Sequence, residues 1–403
     1  MRDIRKKLGL FSVLALVFVF VLGMAIDSAQ AGVKIRGKRG LSLRISYFSQ
    51  FYGVWRNTGS GPDRNDSTTD FYFKRDRFNF TGQLTRNIGF VIQIEHKGPR
   101  MINDLTVADT PTTRLDMLDA FLKFRLSRSL RLRVGLTKDP LTRENNEGCF
   151  DPLSLDRSLF IYSPFAASRD VGLVAWGNFI KNRLQYRIGI MEGREDINTP
   201  RSRLRYTGRL HVSLLQPEAS IVYFGTYLGR KKVLTIGGGI QYEPDVIYGN
   251  LGAKTDAKDD TTWTVDGFFE YPTPVGAFTL SGAYLNVSFD NAYKGFDPDP
   301  KATGMYGERN GYYVKAGYLL PMRIWIGKVQ FFGRYENWKY AKLNEQDNQD
   351  LTWIAPGINY YIRGQKLRLS AEYAMSDFKK EGTLRGVTTK DFNTLRVMLQ
   401  LLL

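Results

Sequence analysis

The sequence predicts an all-β protein, a transmembrane antiparallel β-barrel of 16 strands with an inward-folded third outer loop. Two observations carry this. Apolar and polar residues alternate with period two through most of the chain, the mark of strands with one apolar face. The connections between those strands alternate long and short, and outer-membrane barrels have long outer loops and short periplasmic turns. An N-terminal export leader agrees with both.

The leader is read over residues 1–31. Arg2, Arg5, Lys6 and Lys7 form a basic start, Leu8 to Ile26 is an apolar core, and Ala29-Gln30-Ala31 offers a small-residue cleavage site before Gly32. The remaining residues, 32–403, form one barrel unit. After residue 32 no stretch approaches the 18 apolar residues of a helical span.

Alternation is clearest in Leu130-Arg131-Leu132-Arg133-Val134-Gly135-Leu136, in Leu184-Gln185-Tyr186-Arg187-Ile188, in Leu204-Arg205-Tyr206-Thr207-Gly208-Arg209-Leu210 and in Leu395-Arg396-Val397-Met398-Leu399. It predicts strands at 41–55, 70–85, 89–97, 115–126, 130–137, 169–177, 183–191, 204–214, 233–243, 262–271, 277–289, 311–320, 327–340, 352–362, 366–376 and 392–402. Connections 56–69, 98–114, 138–168, 341–351 and 377–391 are long, and 86–88, 127–129, 178–182 and 363–365 are short. Residues 219–227 (ASIVYFGTY) also look like a strand, but counting them would put every later long loop on the wrong side. Residues 215–232 are therefore read as a long periplasmic turn with room for a small hairpin.

A soluble sandwich also alternates. Aromatic residues at strand ends favour the membrane barrel, which carries girdles there. Tyr47, Phe48, Phe51, Tyr52 and Trp55 form one cluster, Phe71, Tyr72 and Phe73 a second, and Trp325, Phe331, Phe332, Tyr335, Trp338 and Tyr340 a third. Tyr360 and Tyr361 end the fourteenth strand.

Composition narrows the function. One cysteine, Cys149, rules out a disulfide framework, thiolate metal sites and haem attachment. His96 and His211 are the only imidazoles, so neither an enzyme nor a metal centre or cofactor is expected. The 57 Lys+Arg against 40 Asp+Glu leave a formal charge of +17. Nucleic acid would suit that charge, but the leader and barrel pattern argue against it. Aspartates cluster in 254–260 and 290–300, read as solvated outer loops rather than calcium sites.

If apolar residues face lipid, their neighbours face the pore. Parity then places Arg44, Arg75, Arg77, Lys123, Arg125, Arg131, Arg133, Arg183, Arg187, Arg203, Arg205, Arg209, Arg368 and Arg396 inside, with fewer acidic residues, Glu95, Asp119 and Glu372 among them. Arginine stays charged and offers a planar fork to oxyanions, and rings of Arg or Lys select anions in pores. The 138–168 connection carries Phe150, Leu153, Leu155, Leu159, Phe160, Ile161, Tyr162 and Phe165, material to pack inside a wide barrel. It is expected to narrow the channel, bringing Lys138, Arg143, Arg157 and Arg169 to the narrow zone.

Several segments resemble the phosphate-selective porin O/P family. RSLRLRVGLTKDPLTRENN is similar to its strand leading into the constriction loop through Gly135, Lys138 and Pro140. FYFKRDRFNFTGQLTRNIGFVIQIE and DMLDAFLKFRL resemble its second and fourth strands, and PGINYYIRGQKLRLSAEYA its penultimate hairpin. LLQPEASIVYFGTYLGRKKVLTIGGG is similar to a subgroup encoded beside selenite and tellurite reduction systems. The resemblance implies a 16-stranded anion porin, often a homotrimer, in the outer membrane of a Gram-negative bacterium. It would sit in lipid bilayer and lipopolysaccharide and pass small inorganic oxyanions, phosphate-like or selenite and tellurite. The alternative is a structural sheath for an electron conduit, which would need a cytochrome or other periplasmic partner.

Overall fold

The computed structural model describes residues 32–110, 113–159 and 168–403. The expected leader and Phe160, Ile161, Tyr162 and Phe165 lie outside the described residues. The wall is a closed antiparallel barrel of sixteen long strands. They are β1 (Ser42–Ser60), β2 (Asp66–Gln83), β3 (Ile88–Lys97), β4 (Arg114–Arg125), β5 (Arg131–Lys138), β6 (Arg169–Phe179), β7 (Leu184–Met191) and β8 (Arg205–Ser213). Then come β9 (Val233–Asn250), β10 (Thr255–Thr273), β11 (Gly276–Ser288), β12 (Arg309–Ile324), β13 (Gly327–Leu343), β14 (Gln346–Tyr361), β15 (Leu367–Phe378) and β16 (Asn393–Leu402). Each pairs with the next, and β16 closes on β1 with Gln400 opposite Gln50. Each expected strand has its counterpart.

Several connections are shorter than the alternation predicted. β1 and β10 run 19 residues, well beyond the about 10 that a tilted strand needs to cross a bilayer. The hairpins thus continue past the apolar zone, where polar sequence masks the strand signal. The expected loop 341–351 reduces to Asn344-Glu345, both with positive φ, between the paired residues Leu343 and Gln346. That backbone suits the two-residue turns that match strand twist. Most of the expected loop 254–260 belongs to β10. The turn 214–232 holds no hairpin; Tyr223 instead bridges in parallel to Glu147.

The alternation sorts as expected on β7, β8 and β10. Ile188, Ile190, Leu210 and Val265 are exposed, while Gln185, Arg187, Arg209 and Asp266 are buried. The aromatic clusters divide between the two faces. Phe71, Phe73, Trp325, Phe331 and Tyr335 are exposed, whereas Phe48, Tyr52, Tyr72, Phe332, Trp338, Tyr340 and Tyr361 are buried on the inner side. They correct the girdle expected from sequence, because a run of adjacent aromatics on a strand must put every second ring inside.

Two connections supply much of the buried interior. In the third long connection every residue of 139–159 except Phe150 is buried. Its carbonyls accept from inner-face side chains: Cys149 from Gln50 (3.4 Å), Phe150 from Gln400 (2.9 Å), Pro152 from Arg368 (3.0 Å), Leu153 from Asn359 (2.8 Å) and Leu155 from Tyr52 (3.1 Å). Long polar side chains on the wall thereby satisfy backbone groups that a buried loop would leave bare. Two glycines make room. A Cβ on Gly239 would come within 2.7 Å of the Leu141 carbonyl, and one on Gly317 within 2.6 Å of Leu153 Cδ1. The turn 214–232 meets this connection, with Tyr223 N donating to Asn146 O and Gly148 N to Tyr223 O. Glu270 anchors the turn, accepting from Thr226 Oγ1 and from the backbone N–H of Tyr227 and Gly229.

Candidate anion pathway

The strand register builds a row of basic residues across the wall. Arg125 faces Arg131, Arg131 faces Trp176, Trp176 faces Arg187 and Arg187 faces Arg209. Beside this row Lys123 faces Arg133. Like charges directly opposite one another destabilise a sheet, so β4 and β5 carry charge that the fold does not need.

Aromatic faces support part of the row. The Arg131 guanidinium lies 4.5 Å from the Trp176 ring centroid, Arg133 lies 4.8 Å from Phe121, and Arg187 lies 4.1 Å from Tyr223. Such stacking holds a planar cation in place, and Arg187 Nε and Nη2 also donate to Gln185 Oε1 at 3.0 and 2.8 Å. Arg131 Nε and Arg187 Nη1 are buried with no hydrogen-bond partner among the described residues. Buried donors in that state call for a water or an ion.

The other expected residues divide into two groups. Arg75 donates to Gln50 and Asp156 (2.6 and 2.8 Å), Arg77 to Glu95 (2.5 Å) and Arg169 to Asp119 (both 3.2 Å). Arg205 contacts Glu243 and Asp170 (2.8 and 2.9 Å), and Arg209 grips Asp266 through two bonds of 2.6 and 2.7 Å. Arg143 pairs with Glu218, while Arg368 and Arg396 are also buried on the inner side. These cations are held mostly by carboxylates and carbonyls of the fold.

Lys123, Arg125, Arg131, Arg133 and Arg187 lack a carboxylate within ion-pair distance among the described residues, and so does Arg44, which is exposed near the start of β1. Lys138 Nζ donates to Glu147 O (2.8 Å), and Arg157 Nη2 donates to Glu147 O and Cys149 Sγ (3.0 and 3.2 Å). Burial opposes a Cys149 thiolate, but the charges of Arg157, Arg77, Lys138 and Arg75 outweigh it and hold the thiol well below its ordinary pKa. Arg183 binds the carbonyls of Ser213, Leu214 and Leu215 at the short-turn end, and Arg203 is exposed ahead of β8.

Sequence reasoning missed Trp176 and Tyr223. Trp176 shares the inner face of β6 with Val174, a parity that could have flagged it. Tyr223 lies under Arg143, Arg187 and Arg209, and its hydroxyl is 2.6 Å from His211 Nδ1. It also missed most inner carboxylates, including Asp170, Glu243, Asp260, Asp266, Glu270 and Glu336, all buried or bonded to inner cations and turns.

The comparisons agree with this architecture. The anion-selective porin of Comamonas acidovorans superposes with a TM-score of 0.58 at 11% identity, over 89% of this chain and 99% of that one. Salmonella typhi OmpF gives 0.56 at 13%, over 91% and 100%. The outer membrane channel DcaP of Acinetobacter baumannii gives 0.53 at 12%, over 92% and 100%. Among curated proteins, an uncharacterized protein of Aquifex aeolicus is 26% identical over 158 residues, 39% of this chain. The chain spans about a third of that relative's length, 34%. At these identities the structures show a shared fold. The profile of the phosphate-selective porins O and P matches residues 51–403, so the chain belongs to that porin family, whose members are outer-membrane channels.

Proposed function

We propose that this porin is an anion-selective diffusion channel for small oxyanions. The observation that carries the reading is the row Arg125, Arg131, Arg187 with Lys123 and Arg133, cations that the fold leaves without carboxylates. An anion entering beside β4–β7 meets several guanidinium edges in turn. Conduction needs attraction strong enough to recruit the ion and divided enough to release it. The third long connection, bonded to side chains of β1, β2, β14, β15 and β16, narrows the channel in this reading. In this reading residues 1–31 are an export leader. Phosphate and selenite both present the trigonal or tetrahedral oxygens that a guanidinium fork matches.

Purified protein in a planar bilayer under a salt gradient tests the reading. The expected reversal potential has the sign of anion permeation, with phosphate or selenite reducing chloride current. A cation-selective or silent barrel would overturn it.

A further inference from the structure

The connections at the short-turn end are 84–87, 126–130, 180–183, 214–232, 274–275, 325–326 and 362–366. Among them the one acidic residue is Glu218, and it is buried against Arg143. The same connections expose Arg86, Arg128, Lys181, Arg230, Lys232 and Arg363. None of these six forms an ion pair among the described residues. The long-loop end is mixed: exposed Asp63, Glu195, Asp256 and Glu381 stand among pairs such as Arg201–Asp245 and Lys379–Asp350, both 3.2 Å.

The basic tips alternate with exposed apolar ones. Leu84 lies beside Arg86, Leu126 beside Arg128 and Ile180 beside Lys181, and Val275 and Trp325 cap two further turns. These residues continue the outward apolar band that includes Leu122, Val134, Ile188 and Phe278. A cation next to an apolar side chain at the edge of such a band reaches headgroup phosphates while its neighbour stays at the acyl boundary. Clustered Lys and Arg at that depth attract anionic lipid.

We propose that the short-turn rim is a docking surface for anionic phospholipid headgroups, here phosphatidylglycerol-type lipid in the leaflet around that end. This goes beyond the channel reading, because none of the six residues belongs to the basic row. The continuity of the apolar band favours a bilayer over a soluble acidic partner.

The test is native mass spectrometry of the delipidated barrel titrated with equal phosphatidylglycerol and phosphatidylcholine. At low salt the wild type should retain phosphatidylglycerol over phosphatidylcholine by about fivefold or more. The ratio should collapse toward one at high salt, as screening requires. Combined Arg86→Gln, Lys181→Gln, Lys232→Gln and Arg363→Gln should lose most of the preference while keeping the reversal potential. Equal retention of both lipids by the wild type would overturn the proposal, and so would a folded variant that keeps the preference. Displacement of the lipid by millimolar inorganic phosphate, or by soluble polyglutamate, would assign the rim to free anions or to an acidic partner and overturn it too. The wild-type salt arm decides the matter even where the variant does not fold.

Discussion

Arg143 and Glu218 form a two-bond pair, Nη1 to Oε2 at 2.8 Å and Nη2 to Oε1 at 2.9 Å. It joins the third long connection to the turn 214–232. Burial alone would raise the Glu218 pKa; the Arg143 charge and its hydrogen bonds instead hold it down at about 2. A depressed carboxylate contributes stability above its unfolded pKa of about 4.3 and loses it as pH falls toward the folded value. The pair should therefore open between about pH 4 and pH 2. Glu218→Gln should reproduce that state at neutral pH, because it leaves a buried guanidinium without its counter-charge. We expect noisier single-channel traces with a larger mean conductance. Traces identical to wild type would show that the pair does not restrain the interior.

The basic row makes a graded prediction. Arg131→Gln with Arg133→Gln removes cations that lack carboxylates, so the anion-to-cation permeability ratio should fall several-fold. Arg75→Gln removes a cation already bonded to Asp156 and should move the ratio less, while releasing part of the connection. Reversal potentials at two ionic strengths measure both effects. The difference between variants should shrink at high salt, where the Debye length is about 3 Å at 1 M. Equal losses in both variants would mean that carboxylate pairing does not decide which arginines act on the ion.

The pairing explains what the sequence could and could not reveal. Alternation around Arg209 puts it on the inner face, but its partner Asp266 lies 57 positions away. No periodicity supplies that distance; only the barrel register does. Residues 219–227 carry Ile221, Val222, Tyr223 and Phe224, a strand-like run, yet no wall strand receives them. Tyr223 bonds to Asn146 and Gly148 instead. Inner carboxylates such as Glu243 and Asp266 occupy ordinary polar positions of their strands, and only the fold shows which cation each one holds.

Selectivity should also depend on pH near neutrality. Burial pushes the Asp151 carboxyl up to about 8 against the pull of Arg368, with Glu147 and Cys149 adding to the rise and Arg230 opposing it. Burial also raises Glu147, more than Arg143 lowers it. Both groups then gain negative charge as pH rises through their folded values. A raised carboxyl keeps its full contribution to stability below the unfolded pKa and loses it as pH climbs to the folded one. The anion permeability ratio should decline from about pH 6 to pH 9 as Asp151 ionises. Asp151→Asn should flatten that profile, and an unchanged slope would remove Asp151 from the field acting on the ion.

One close approach of wall and connection gives a steric prediction. A Cβ on Gly239 would sit 2.7 Å from the Leu141 carbonyl, a backbone atom without a side-chain rotation to relieve the contact. Gly239→Ala must therefore move the connection or the strand. The strand is held by its register to β8 and β10, so the connection near Leu141 is the part that yields. That shift also disturbs the bond from Arg209 Nη1 to Leu141 O, now 3.2 Å. We expect a barrel that still resists unfolding in detergent, because the wall ladders are intact, but with a measurably altered conductance. Gly238→Ala is the control. A Cβ there would meet Thr264 O at 3.0 Å and nothing on the connection within 4 Å. If the two variants change conductance equally, the effect belongs to the wall, and the connection does not set the width of the channel.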